Sequence, residues 1–216
     1  MNIKKVNITQ NIVLLIFEDQ KSITSTFIRF QEYYESPKFK NKIFSLDDYK
    51  KWYIKQKGSF SYYTDWNGFN IPSHILKPFK KGLFNPLSQK EKHLLNMFKD
   101  RNDDFYIIGI HKEKDTSKDV LKHEIAHGLY YTDQKYQDKI KKILQEFNTK
   151  PVKEELQESY GYHEDVLNDE VHAYLIASSK TFKQEIPKKL QTILRDIYQE
   201  TLIRHDVDIN EYDQLL

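Results

Sequence analysis

The chain has 216 residues and no cysteine, so disulfides, thiolate metal sites and cysteine nucleophiles are excluded, and any metal must be held by His, Asp or Glu. Its 34 Lys and Arg nearly balance 32 Asp and Glu, for a formal net charge of +2, which argues against nucleic acid as the main partner. No apolar run reaches the ~20 residues of a membrane-spanning helix. The longest, Ile12 to Phe17, is too short for the core of a signal peptide and runs into Glu18-Asp19-Gln20. No classical export signal is therefore expected, and the favoured compartment is cytoplasmic or one reached without such a signal. The 15 Tyr and 13 Phe supply contact area for a core and for a cleft that takes an extended substrate.

Asn11 to Phe17 is β-branched and apolar and predicts a strand. Ser22 to Glu35 predicts a helix with a serine cap, stopped by Pro37, and Ser45 to Gln56 a second one opened by a capping signal. Phe60 to Trp66 alternates and predicts a strand, with Asn67-Gly68 as a turn and a short helical piece after Pro72. The loop Thr64 to Asn70 has the aromatic and amide content of either a binding loop or a hairpin corner. Ser88 to Lys99 predicts a capped helix, and Asp104 to His111 the clearest strand. From there the pattern is helical: Ser117 to Tyr131, capped by Thr116 or Ser117, then Lys135 to Phe147, Glu154 to Tyr160 stopped by Gly161, Asp165 to Ser178, and a last helix from Pro187 to about Arg204. With no linker or repeat, this is one α+β domain over 1–216. Residues 1–116 form a mixed upper part, 117–204 a helical part, and 205–216 a tail packed on the surface.

The chemistry concentrates in His123-Glu124-Ile125-Ala126-His127. Positions i and i+4 share a helix face, so two imidazoles can meet one metal ion while Glu124 projects beside the water that the ion would hold. Val120-Leu121 before the motif and Gly128-Leu129 after it are apolar or small, which fits a buried helix at the floor of a cleft. A third ligand must come from elsewhere. On the predicted helix over Asp165 to Ser178, Glu170 shares an apolar stripe with Val166, Leu167, Ala173, Tyr174 and Ala177. A carboxylate facing inward there needs a cation or a partner. Asp169 and His172 share a face with Asp165 and read as solvated. They, His163 and Asp133 are the other ligand candidates.

The segment Val120 to Leu129 resembles the zincin metallopeptidases, and the resemblance extends from the strand Asp104 to His111 through the Glu170 helix. It implies a zincin-like fold: a small mixed sheet whose edge strand, Asp104 to His111, pairs with an extended substrate over the active-site helix, followed by a mainly helical half. It implies one zinc ion on His123, His127 and Glu170, with Glu124 as general base for peptide hydrolysis. Tyr162, His163 and Tyr131 are the donors available to a developing oxyanion. Metzincins place a third ligand six positions after the second His, with a glycine between. Here Tyr130 takes the glycine's place and Asp133 the ligand's, so the pattern departs from that branch. A ligand glutamate on a later helix resembles the gluzincins, although Asp169 stands where those enzymes carry Asn. The expected partner is a peptide or protein substrate. The competing expectation is a zinc-binding regulatory or effector module with restricted activity or none.

Overall fold

The computed structural model describes residues 2–113, 118–160, 162–178, 182–183 and 186–216. β1 (Ile3–Asn7) and β2 (Ile12–Phe17) form a hairpin whose turn is closed by Thr9, its hydroxyl accepting from the N–H groups of Asn11 and Ile12. There follow α1 (Gln20–Glu35), α2 (Leu46–Lys57), α3 (Tyr62–Asp65), β3 (Gly68–Pro72), α4 (Leu76–Lys80), α5 (Gln89–Met97) and β4 (Tyr106–His111). The rest is helical: α6 (Lys118–Thr132), α7 (Gln134–Glu146), α8 (Lys150–Tyr160), α9 (Leu167–Ala177), α10 (Lys188–Arg204) and α11 (Ile209–Asp213). The α+β class expected from the sequence is therefore the class found.

The strands make one mixed sheet in the order β1-β2-β4-β3, with β2 and β4 parallel and the outer pairs antiparallel. Every residue of β2 and β4 is buried, because helices cover both faces of the sheet. Ile12, Leu14, Ile16, Tyr106, Ile108 and Ile110 pack against the helices of the second half. Val13, Leu15, Phe17 and Ile107 face the first-half layer of α1 to α5 and its many aromatic rings. Two glycines set the spacing of these layers. A Cβ on Gly109 would stand 2.8 Å from the Phe27 ring, so α1 can lie close on β4 only because none is there. A Cβ on Gly128 would stand 3.1 Å from Ile12, which brings the helix carrying the histidine motif down onto β2.

Several expectations need correction. Phe60 to Trp66 is not a strand. Tyr62 instead turns into the first-half core against Tyr49 and Tyr53, at ring distances of 5.5 and 5.8 Å, and a helical turn is what lets it do so. The strand forms next, at Gly68–Pro72, where a turn was expected. Its terminal proline is tolerated because this is the last strand of the sheet. Asp104 to His111 is not an edge strand either: β4 lies between β2 and β3, and its unbroken apolar run is that of an interior strand. The cap of α1 is Asp19 rather than Ser22, accepting from the Ser22 N–H at 2.7 Å. β1 carried no apolar signal, since three of its five residues are exposed. The caps by Ser45 and Ser88 are present as full capping boxes with Asp48 and Glu91. The expected cap at Thr116 or Ser117 and the stop at Gly161 lie outside the described residues.

Glu91 has a second task. Both its oxygens bind the buried guanidinium of Arg29, at 2.6 and 2.7 Å, and Arg29 also donates to the carbonyls of Phe84 and Pro86. This ties α1 to α5 under the sheet. Removing one partner strands a buried charge, so Arg29→Ala should lower the unfolding free energy by about 3–5 kcal/mol, measured by urea denaturation. The double variant Arg29→Met with Glu91→Leu should recover most of that loss.

Candidate metal centre

α6 brings His123 and His127 to one face, as their spacing requires, and α9 crosses it with Glu170 pointing inward. The two Nε2 atoms are 3.0 Å apart, and Glu170 Oε2 lies 3.8 Å from His123 Nε2 and 3.7 Å from His127 Nε2. Ligand atoms around a tetrahedral zinc with bonds of ~2.0–2.1 Å are about 3.4 Å apart, so these distances bracket that value. Glu170 is 3 % exposed and its Oε2 has no hydrogen-bond partner. A buried carboxylate oxygen left orphaned opposite two imidazole nitrogens is the arrangement that a cation completes. His123, His127 and Glu170 thus form a group that can hold a metal ion.

The electrostatics agree. Burial holds the His127 imidazole down at about 3. Burial, and then the neighbouring His127, hold His123 well below the usual range. Both rings are therefore neutral, with lone pairs to offer. Burial pushes the carboxyls of Glu124 and Asp169 up to about 7 and that of Glu35, at the end of α1, up to about 8. Glu170 is raised further, by burial first and then by the charges of Glu35, Asp169 and Glu124. Four acids in one buried neighbourhood are short of positive charge, and a divalent ion reverses that deficit.

Glu124 sits beside the triad under the edge strand β3. Its Oε2 accepts from Asn70 Nδ2 at 2.6 Å, and Asn70 Oδ1 accepts from the Tyr106 hydroxyl at 2.5 Å. A Cβ on Gly68 would stand 2.3 Å from Glu124 Oε1, so the glycine makes room for the carboxylate. Asn70 was expected only as part of a generic loop, and Tyr106 only as part of a strand. Their roles depend on β3 lying over α6, which no local pattern reveals.

The other sequence candidates separate cleanly. Tyr162 is half-buried and hydrogen-bonds the Glu170 carboxyl, with its hydroxyl 3.4 Å from that of Tyr174, whose ring packs on His123 at 4.5 Å. His163 is exposed, caps the 3₁₀ turn Glu164–Val166 and lies 3.2 Å from Asp165, turned to solvent. Tyr131 packs on Tyr106 beyond the motif and meets His74. Asp133 caps α7 through the Tyr136 N–H and contacts Arg204 and His205, at 2.5 and 2.8 Å, pinning α7 to the end of α10. The expectation that Asp169 and His172 face solvent is overturned. His172 is fully buried, and the Asp169 side chain is only 19 % exposed and lies 2.8 Å from His127 Nδ1. The reason is that α9 packs against α6, α7, α8 and α10 at once, so it has almost no solvated face.

Comparison with protein-family models, with curated proteins and with solved structures finds no match. The residues themselves carry the functional argument.

If the group holds a metal ion, His127→Ala and Glu170→Gln should each abolish its stoichiometric uptake, read by elemental analysis after dialysis. Asp133→Ala should keep full metal content and instead lose about 1 kcal/mol of stability as a cap is removed. Burial raises the Asp133 carboxyl, but His205, the Tyr136 N–H and Arg204 together hold it below the ordinary value. Its contribution is therefore present above about pH 4 and lost as pH falls below that. Asp133→Asn should flatten the acid limb of a stability profile between about pH 2 and 4.

Proposed function

We propose that this chain is a zinc-dependent hydrolase of the metallopeptidase type, with His123, His127 and Glu170 holding the ion and Glu124 acting as general base. The observation that carries the reading is the orphaned Glu170 oxygen facing two neutral imidazoles, with a carboxyl supported by hydrogen bonding beside them. A zinc ion bound there supplies the positive charge that makes a water molecule acidic near neutral pH and polarises a carbonyl. The zincin resemblance of the motif is supported by a mixed sheet whose last, antiparallel strand lies over the motif helix.

The residues divide the work. Burial raises the Glu124 carboxyl to about 7, a range suited to taking a proton from the attacking water and returning it to the leaving amine. Asn70, itself oriented by Tyr106, holds one oxygen of that carboxylate and leaves the other for the proton. Burial, and then the Glu170 charge, push the Tyr162 phenol well up, so it stays protonated; its hydroxyl, which donates to Glu170 here, becomes the donor to a developing oxyanion by turning from that carboxyl. Among the described residues β3 pairs only with β4, but four of its five residues are buried, so an extended peptide would add a strand there only once that edge is uncovered.

Glu124→Gln should retain one zinc per chain and lower kcat by about 10²–10⁴-fold in a peptide-cleavage assay. Unchanged turnover would remove Glu124 from the role of base. Gly68→Ala should retain zinc as well, yet lower kcat, because the added methyl displaces the Glu124 carboxylate.

A further inference from the structure

Behind His127 the polar side chains continue in a line that the proposed chemistry leaves unused. Asp169 Oδ1 lies 2.8 Å from His127 Nδ1 and 3.4 Å from His172 Nδ1, close enough for an ion pair or a slightly turned hydrogen bond, although neither contact has good hydrogen-bond geometry. His172 is fully buried; its ring nitrogens lie near the backbone carbonyls of Asp169 and Ala126, but no partner gives them a hydrogen bond of good geometry. Its ring is enclosed by others: stacked on Tyr130 at 4.9 Å, and edge-on to Tyr136 at 5.7 Å and to His127 at 6.2 Å. A slot walled by rings suits phenylalanine or leucine better, because a buried imidazole with unbonded nitrogens is costly. What the histidine has that an apolar residue lacks is ring nitrogens that face the Asp169 carboxylate on one side and backbone carbonyls of α9 and α6 on the other.

We infer that His172 and Asp169 are a pair of positioning residues for the metal centre. Asp169 fixes the ring plane and tautomer of His127 by keeping the proton on Nδ1, so that the Nε2 lone pair points into the triad. His172, locked by Tyr130 and Tyr136, holds Asp169 from behind. All three side chains lie on α6 and α9, the two helices that build the triad, so the pair also fixes the register in which those helices meet. The inference rests on the metal-binding reading of the triad and not on peptide hydrolysis.

The test uses the full chain with ¹⁵N-labelled histidine. In the metal-free wild type, the ring signals of His127 should report a single tautomer protonated at Nδ1. Asp169→Ala and His172→Phe should both shift those signals toward a tautomer mixture, whereas His172→Gln, which keeps a donor near Asp169, should hold them. Zinc affinity, measured by chelator competition, should fall about 10–100-fold in Asp169→Ala and on the order of 10-fold in His172→Phe. The double variant should bind no more weakly than Asp169→Ala, because the two residues act in series. Wild-type ring signals and affinity in His172→Phe, or losses that multiply in the double variant, overturn the inference. If the wild type takes up no zinc, the metal reading fails, and the ring signals of the metal-free protein still decide whether the pair positions His127. If zinc is bound but no peptide is cleaved, the inference stands and only the hydrolase reading falls.

Discussion

The arrangement depends on one constraint: a carboxylate buried on α9 needs positive charge to stay ionised, and its free oxygen faces two neutral imidazoles on α6. Water cannot compensate Glu170 at 3 % exposure. The crossing of α6 and α9 therefore makes sense as the two halves of a cation site. Glu35, Glu124 and Asp169 deepen the same deficit: burial raises each of them first, and neighbouring carboxylates, Asp169 above all, raise Glu35 and Glu124 further. A core that gathers acids in this way is unfavourable as packing and favourable as coordination chemistry.

The two layers contribute different parts. The helical half supplies the candidate ligands and the groups behind them, from α6, α9 and the Tyr162 segment. The sheet and first-half layer supply what stands beside the ligands: Gly68 and Asn70 from β3, Tyr106 from β4 and Glu35 from α1. The site lies where the sheet meets the second half, and small residues make that contact close. Gly128 lets α6 descend onto β2, and Gly68 leaves space for Glu124. Rigidity comes from farther away, through the buried Arg29–Glu91 pair under the first layer and the Asp133 cap that ties α7 to α10.

Local order was legible wherever a local rule sufficed. The caps by Ser45 and Ser88, the two buried strands, the succession of helices in the second half and the pairing of His123 with His127 all follow from spacings within a single element. Glu170 was legible as well, because an acid in an apolar stripe is conspicuous whatever packs on it. The misreadings share one cause. Phe60 to Trp66 looked like a strand because aromatic residues alternate there, but the direction of Tyr62 is decided by Tyr49 and Tyr53 from a preceding helix. Asp169 and His172 looked solvated because phase on one helix assigns a polar face, and it cannot know that α6, α7, α8 and α10 surround α9.

By itself, then, the sequence determined which residues could hold a cation and which carboxyl stands next to it, since both follow from the fixed geometry of a helical turn. Only the tertiary structure decided that β3 rather than β4 is the strand at the edge, that Asn70 and Tyr106 support Glu124, and that Asp169 and His172 lie behind His127. Those relations join residues far apart in the chain. They are set by how two helices and a sheet pack together, a quantity that no periodicity along one segment contains.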